Sequence, residues 1–255
     1  MSDGRRESMI ARHGTVADER VIWHDVECGG YGADLPVWRE LAGESGGAVL
    51  DVGCGTGRVA LHLAGAAHAV TGVDHDPPLV EALSERARAR GLDVDARVAD
   101  ARTLELTPSF ALIAFPMQVI QLLREPTDRR AALAAAAGCL APGGRLALAI
   151  VEGVPYGGGE MAQPLPDVAE IDGWIYSSQP IEIADEGGVM LVKRLRQRVS
   201  PAGDLAEALD RTRLAVLDAD GLEREARDAG LRPAGRREIA ETEIYVGSVV
   251  VVLER

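Results

Sequence analysis

Residues 48–64 read AVLDVGCGTGRVALHLA: an apolar run that ends at Asp51, glycines at 53, 55 and 57, and a helix that starts near Arg58. Glycine permits positive φ and lets a ligand approach the backbone, and a helix N-terminus presents N–H groups that lack intrahelical partners. A strand, a glycine turn and a helix start therefore predict a nucleotide-type site. The spacing narrows its ligand. A dinucleotide site needs GxGxxG, which would put the third glycine at 58, where the chain has Arg58. No GxxxxGK[ST] phosphate loop is present, and Lys193 is the only lysine. Asp51 adds a sign, because a carboxylate beside the loop repels a pyrophosphate and suits a ligand with an ammonium or sulfonium group.

Outward from this segment, short apolar runs at 48–52, 69–73, 94–99, 110–115 and 145–151 alternate with helix-like stretches. That alternation predicts a parallel sheet covered by helices. Residues 76–91 carry a capping Asp76, Pro77 in the first turn, an apolar face of Leu79, Leu83 and Ala87, and a closing Gly91. Residues 127–140 form a second, alanine-rich helix that APGG stops. Consecutive right-handed βαβ units follow.

After Val151 the Gly- and Pro-rich VEGVPYGGGEMAQPLPD is expected to loop over one edge of the sheet as a lid. Strand-like segments at 174–183, 189–199 and 205–217, joined by EGG and SPAG, predict an antiparallel extension. A helix at 220–229, closed by Gly230, precedes strands at 237–240 and 246–253; the last is too continuously apolar for an edge and is placed inside the main sheet. The expected organisation is one domain, with a cap at 1–44, a ligand-binding core at 45–151, an antiparallel insertion at 152–217 and a final helix and hairpin at 218–255.

Composition restricts the partners. With 255 residues, 47% of them hydrophobic and 26% charged, the chain can build a large core. Its formal charge of -13 repels phosphates and anionic membrane surfaces, so neither nucleic acid nor membrane is an expected partner. No run of about 18 apolar residues or secretion-type h-region is present, which predicts a cytoplasmic protein. Cys28, Cys54 and Cys139 lack CxxC spacing and imply neither a disulfide framework nor a zinc site, so no metal is expected.

The acidic residue followed by GxGxG, Asp51 to Gly57, resembles the first motif of the class I S-adenosylmethionine-dependent methyltransferases. TGVDHD resembles the second, VADART the third, FALIAFPMQVIQLL the fourth strand with its exit loop, and LAPGGRLAL the segment before strand five. The resemblance covers about residues 45–151 strongly. It implies an α/β fold with a doubly wound, seven-stranded Rossmann-like sheet and an antiparallel β insertion before the last helix and hairpin. It also implies S-adenosylmethionine as cofactor, S-adenosylhomocysteine as product and a small-molecule methyl acceptor at oxygen or nitrogen, with a bacterial specialised metabolite as one candidate. Ala111 stands where the family usually has Asp, and no NPPY- or DPPY-type tetrapeptide follows strand four, which weighs against nucleobase and protein-glutamine acceptors.

By the same resemblance, Gly53, Cys54, Gly55 and Gly57 line the cofactor loop, and Asp74 takes the ribose hydroxyls with His75 beside it. Asp100 and the Ala101 backbone take the adenine, the Phe115 carbonyl and Asp51 face the ammonium, and Tyr31 belongs to an arm that covers the methionine end. Gln118 faces the methyl donor, while Tyr156 and Trp174 are candidates for an acceptor wall or a dimer contact. In-line methyl transfer depends chiefly on orientation; where a base is needed, His24 and Glu152 are the candidates, with Asp25 and Glu27 beside His24. Trp38, at helical spacing with Leu35 and Leu41, is read as core. The alternative is a protein of the same fold that binds the cofactor as a cyclase or noncatalytic regulator; a nicotinamide oxidoreductase is opposed by the glycine spacing. A monomer or homodimer fits either reading.

Overall fold

A computed structural model describes residues 16–107, 109–155, 164–242 and 245–255. Two helices come first, α1 (Val16–Cys28) and α2 (Leu35–Ser45). Trp38 and Leu41 of α2 are fully buried, as their helical spacing requires. The alternating region then gives β1 (Ala48–Val52), α3 (Arg58–Gly65), β2 (Val70–Asp74), α4 (Pro77–Ala89), β3 (Val94–Val98), β4 (Phe110–Phe115), α5 (Val119–Leu122), α6 (Pro126–Cys139) and β5 (Leu140–Ile150). After the insertion come α7 (Ala219–Arg227), β10 (Arg232–Ile239) and β11 (Ser248–Glu254).

These strands make one seven-stranded sheet in the order β10-β11-β5-β4-β1-β2-β3. β1 to β5 are parallel, and β11 runs antiparallel between β5 and β10. Because β11 has a strand on each side and cover on both faces, its VVVVL run is buried throughout but for partly covered Val249. Strand alternation divides the core. Leu50, Ile113, Phe115 and Leu148 pack toward α6 and α7, whereas Val49, Leu112 and Ala114 pack toward α2, α3 and α4. The strand order reverses between β1 and β4, and at such a point the carboxyl ends of the strands leave a crevice.

The insertion is a second sheet in the order β6-β7-β8-β9, from β6 (Asp167–Ile171), β7 (Trp174–Asp185), β8 (Val189–Val199) and β9 (Leu205–Ala215). The sequence reading lacked β6, whose alternation is too short to stand out beside the Pro-rich segment before it. It also started β5 five residues late, because Pro142 and two glycines mask a stretch in which Leu140 pairs with Phe110 across a register shift. β10 is longer than expected, since its charged side chains lie on an exposed edge strand. The central part of the expected lid, with Tyr156, lies outside the described residues.

α1 ties the two sheets together. Arg20 reaches Asp76 at 3.0 Å, Asp25 pairs with Arg86 of α4, and Glu27 receives Arg196 of β8 at 2.6 and 2.8 Å. Trp23 packs edge-on to Tyr176 of β7 at 5.3 Å. Between them these contacts hold the amino-terminal segment over the carboxyl ends of β1 and β2.

Candidate active site

The glycine loop is built by packing as well as by dihedral freedom. Gly53, Gly55 and Gly57 have φ of 70°, 53° and 97°. A Cβ on Gly53 would lie 2.6 Å from Val119, and one on Gly55 would lie 2.2 Å from Nε2 of His24. The loop is anchored through the Gly55 N–H, which donates to Asp74 Oδ2 at 2.9 Å, while Asp74 Oδ1 accepts from the Asp76 N–H at 3.0 Å. Two of the roughly four acceptor positions of that carboxylate are thereby used, and the rest remain for a diol.

A cavity of about 410 Å³ opens beside the loop, lined by Gly53, Asp74, His75, Asp100, Ala101 and Arg102 among others. Asp100 caps a 3-10 turn at Ala101–Thr103, accepting from the Arg102 N–H at 2.9 Å. Its bonds to the Arg102 side chain and backbone hold its carboxyl down at about 2. His75 is exposed, with Nδ1 3.3 Å from Asp74 Oδ1. At the end of β1, Asp51 is fully buried, and its carboxylate has no side-chain hydrogen-bond partner among the described residues. Burial lifts its carboxyl to about 7, with Arg58 and the backbone N–H of Ala60 pulling the other way.

A second cavity of about 280 Å³ lies between the amino-terminal segment, the ends of β4 and β5, and the inner face of the antiparallel sheet. Its walls are mostly apolar, including Met117, Val151, Ile183, Met190, Val192 and Leu214. Four charged side chains reach it, each already paired: Asp34 with Arg58, Glu27 with Arg196, and Asp167 with Arg194. Burial works to raise the Glu27 carboxyl, but its bonds from Arg196 and Ser178 bring it below the ordinary value. Asp167 stays raised by burial despite Arg194. Burial also pushes the Cys28 thiol in this wall up to about 11, which keeps it unreactive.

Residues 49–144 match the model of a family described as a methyltransferase domain. That segment is similar to methyltransferase domains. Over 106 residues it is 42% identical to the ribosomal protein L11 methyltransferase of Xylella fastidiosa (strain 9a5c), covering 40% of this chain and 31% of that one. The chain spans 31% to 46% of the lengths of the curated relatives it matches. Two solved structures share the fold over nearly their full length. Streptomyces venezuelae DesVI superposes with a TM-score of 0.72 at 19% identity, covering 94% of this chain and 98% of that chain. The sugar N-methyltransferase KedS8 from Streptoalloteichus sp ATCC 53650 gives 0.71 at 21%, covering 94% and 93%.

The first cavity gathers Gly53, Asp74, His75, Asp100 and Ala101, which the sequence singles out from three separate motifs. Cys54 is buried, with its thiol raised by burial, and Phe115 closes β4 as a core residue. Tyr31 and Gln118 line the second cavity. Trp174 instead packs with Trp23 and Tyr176, and the Arg198 guanidinium lies 6.0 Å from its ring. Glu152 lines neither cavity, and its Oε1 accepts the Ala219 N–H at 2.7 Å, at the start of α7. His24 lies over the loop with Nδ1 3.4 Å from Thr56 Oγ1, and burial lowers its pKa so that the ring is neutral.

Several site residues escaped the sequence reading. Arg58 registered only as a helix start, yet it holds Asp34 and the Tyr31 carbonyl. Met117, in the second cavity's wall, has φ 51°, a costly conformation for a side chain of this size and one that clusters at functional sites. Asp167, Arg194 and Tyr245 meet only in three dimensions, so no local spacing could have marked them.

Proposed function

We propose that the protein is an S-adenosylmethionine-dependent methyltransferase that methylates an oxygen or nitrogen atom of a small molecule held in the second cavity. The observation that carries this reading is a cavity beside the glycine loop at the carboxyl ends of β1 and β2, together with a second, mostly apolar cavity between residues 27–34, the exit of β4 and the antiparallel sheet. The first suits the cofactor by its own chemistry, with acceptor capacity on Asp74 for the ribose and Asp100 and Ala101 for the adenine; Asp51, buried at the end of β1, lines neither cavity. When bound, the cofactor supplies an electrophilic methyl on a sulfonium.

The chain's own part is orientation and exclusion of water. Tyr31 and Gln118 border the acceptor cavity at its cofactor side, and the apolar walls keep it dry, so a nucleophile held about 3 Å from the methyl gains most of its rate from positioning. Where the acceptor keeps its proton, the two proposed bases are His24, which sits against the loop with its pKa lowered by burial, and Glu152, which is engaged at α7; neither lines the acceptor cavity. Because the charges of the cavity are paired internally, an acceptor with a largely apolar, unphosphorylated body fits it best; a phosphorylated one would have to break a pair. The naming of KedS8 as a sugar N-methyltransferase is in keeping with a small acceptor such as an amino sugar. Among the described residues, no helix is long and apolar enough to cross a membrane.

Calorimetric titration with S-adenosylmethionine and S-adenosylhomocysteine tests the cofactor, with Asp74→Ala and NADH as controls. Micromolar binding that the substitution abolishes is expected, followed by methyl transfer in a screen of small acceptors. A folded protein that binds neither sulfur nucleoside would sink the reading. Binding without any turnover would support the noncatalytic alternative, and unchanged turnover in a His24→Ala, Glu152→Ala double variant would remove both bases.

A further inference from the structure

The second cavity shows acids and keeps most of its cations behind them. The charged side chains in its wall are Glu27, Asp34, Asp167 and Arg194, so three carboxylates face one guanidinium. Arg58 and Arg196, which balance Asp34 and Glu27, lie outside the wall. The one cation within it is held on both sides. Arg194 Nε donates to Ser178 Oγ at 2.8 Å and lies 3.6 Å from Glu27 Oε1, while Nη2 donates to Asp167 and, at 3.3 Å, to the Ser178 carbonyl. Through Glu27, Arg196 and Asp210 this pair continues into a run of three carboxylates and two guanidiniums, which leaves one negative charge in excess.

The three acids of the wall differ in what they can still accept. Asp34 takes two bonds from Arg58 and one from Trp38 Nε1 at 2.8 Å, and it is 1% exposed. Glu27 takes two bonds from Arg196, at 2.6 and 2.8 Å, and one from Ser178 Oγ at 2.7 Å. Asp167 takes Arg194 on Oδ2 and has the Tyr245 phenol as its other polar neighbour. With about four acceptor positions on a carboxylate, Asp167 keeps the most for a ligand.

Aromatic rings complete this corner. Tyr245 comes from the connection between β10 and β11, Tyr31 from the turn after α1, and their rings meet at 4.9 Å and 61°. Both line the cavity, and among the described residues no cation lies over the Tyr245 ring. An ammonium group gains here from charge-assisted hydrogen bonds and from the ring quadrupole. A hydroxyl gains only the weaker, neutral part of the first, and a carboxylate is repelled.

We propose that the acceptor carries an amino group and that Asp167, with Tyr245 at its side, is the specificity-determining residue that holds it. This rests on the reading of the second cavity as the acceptor's, and it goes beyond that reading by fixing the acceptor's charge and the side chain that recognises it. Arg194 keeps the Asp167 carboxylate in place and is not itself an anion site.

The test titrates the full chain with cyclohexylamine, cyclohexanol and cyclohexanecarboxylate by ligand-observed NMR at about pH 7, where the amine is protonated. The amine should bind at least about tenfold more tightly than the alcohol, and the carboxylate most weakly. Its nuclear Overhauser contacts should reach the Tyr31 and Tyr245 rings. Asp167→Asn keeps the shape and an acceptor for Arg194; it should bring the amine to within about threefold of the alcohol and leave the alcohol's own affinity within about twofold. If that variant does not fold, Asp167→Asn with Arg194→Met removes the pair together and should lose the same preference. Calorimetric affinity for S-adenosylhomocysteine should be unchanged in either variant.

Equal affinity for amine and alcohol in the wild type, tightest binding of the carboxylate, or no binding of any of the three overturns the inference. So does a fall of all three by one factor in the variant, which would make Asp167 merely structural. A wild type that prefers the amine but binds no S-adenosylhomocysteine overturns the cofactor reading instead.

Discussion

Replacing Asp51 by Asn should make the ligand-free protein more stable. The carboxylate is 1% exposed and has no side-chain hydrogen-bond partner among the described residues, and burial raises it from 3.8 to about 7 against the pull of Arg58. A carboxyl raised in the folded state keeps a proton that the unfolded chain has already released. Stability therefore falls as pH rises from about 4 to about 7 and is level above that. At about 1.4 kcal/mol per pH unit, the wild type forfeits roughly 4 kcal/mol near pH 8. Asparagine does not titrate, and a buried amide without partners costs about 1–3 kcal/mol. The variant should gain about 1–3 kcal/mol near pH 8, and the difference should shrink by roughly 3 kcal/mol near pH 5. Urea unfolding at the two pH values reads this from the midpoint at constant slope. An equal difference at both pH values would mean that Asp51 is ionised at both, and the reasoning would be wrong.

Gln121→Leu should cost about 3–5 kcal/mol, because the fully buried amide donates to the carbonyls of Val151 and Ala215 at 3.1 and 2.9 Å and accepts the Val151 N–H at 2.9 Å. Hydrogen exchange in β9 should rise with it, as this amide joins the two sheets. Gly55→Ala should cost about 2–4 kcal/mol from a left-handed Cβ driven into His24, and a His24→Ala second change should return part of that loss in a double-mutant cycle. Glu152→Ala should lower stability by about 1 kcal/mol through the lost bond to Ala219 and leave affinity for S-adenosylhomocysteine unchanged in calorimetry.

The proposed cofactor half of the site draws on short segments that the sequence marks by itself. Asp51, Asp74 and Asp100 each end a strand or follow one, and the parallel register brings Asp51 beside Gly72 and sets Asp74 against Val98. Once the strands were placed, their carboxyl ends had to meet. The acceptor half is assembled otherwise. Glu27 meets Arg196, and Asp167 meets Arg194, across sequence distances that no motif spans. Trp174 and Glu152 looked equally suited to that half on residue type, yet alternation along β7 aims Trp174 at α1, and the turn into α7 claims Glu152.

That contrast also says where the specificity of the proposed enzyme resides. The proposed cofactor cleft is bounded by backbone ends and by acids whose places follow from β1, β2 and β3, so variation there is restrained by the sheet itself. The acceptor cavity takes its walls from β7, β8 and β9, whose opposite face is open to solvent at Ile175, Leu205 and Leu209. Side chains such as Met190, Val192 and Leu214 can change size without disturbing the main sheet, while the paired charges at Glu27, Asp34 and Asp167 hold the cavity's frame. Leu214→Ala should thus widen the range of acceptors at a core cost of about 2–5 kcal/mol, with affinity for S-adenosylhomocysteine intact. A parallel loss of cofactor affinity in calorimetry would show that the two cavities are not separable in this way.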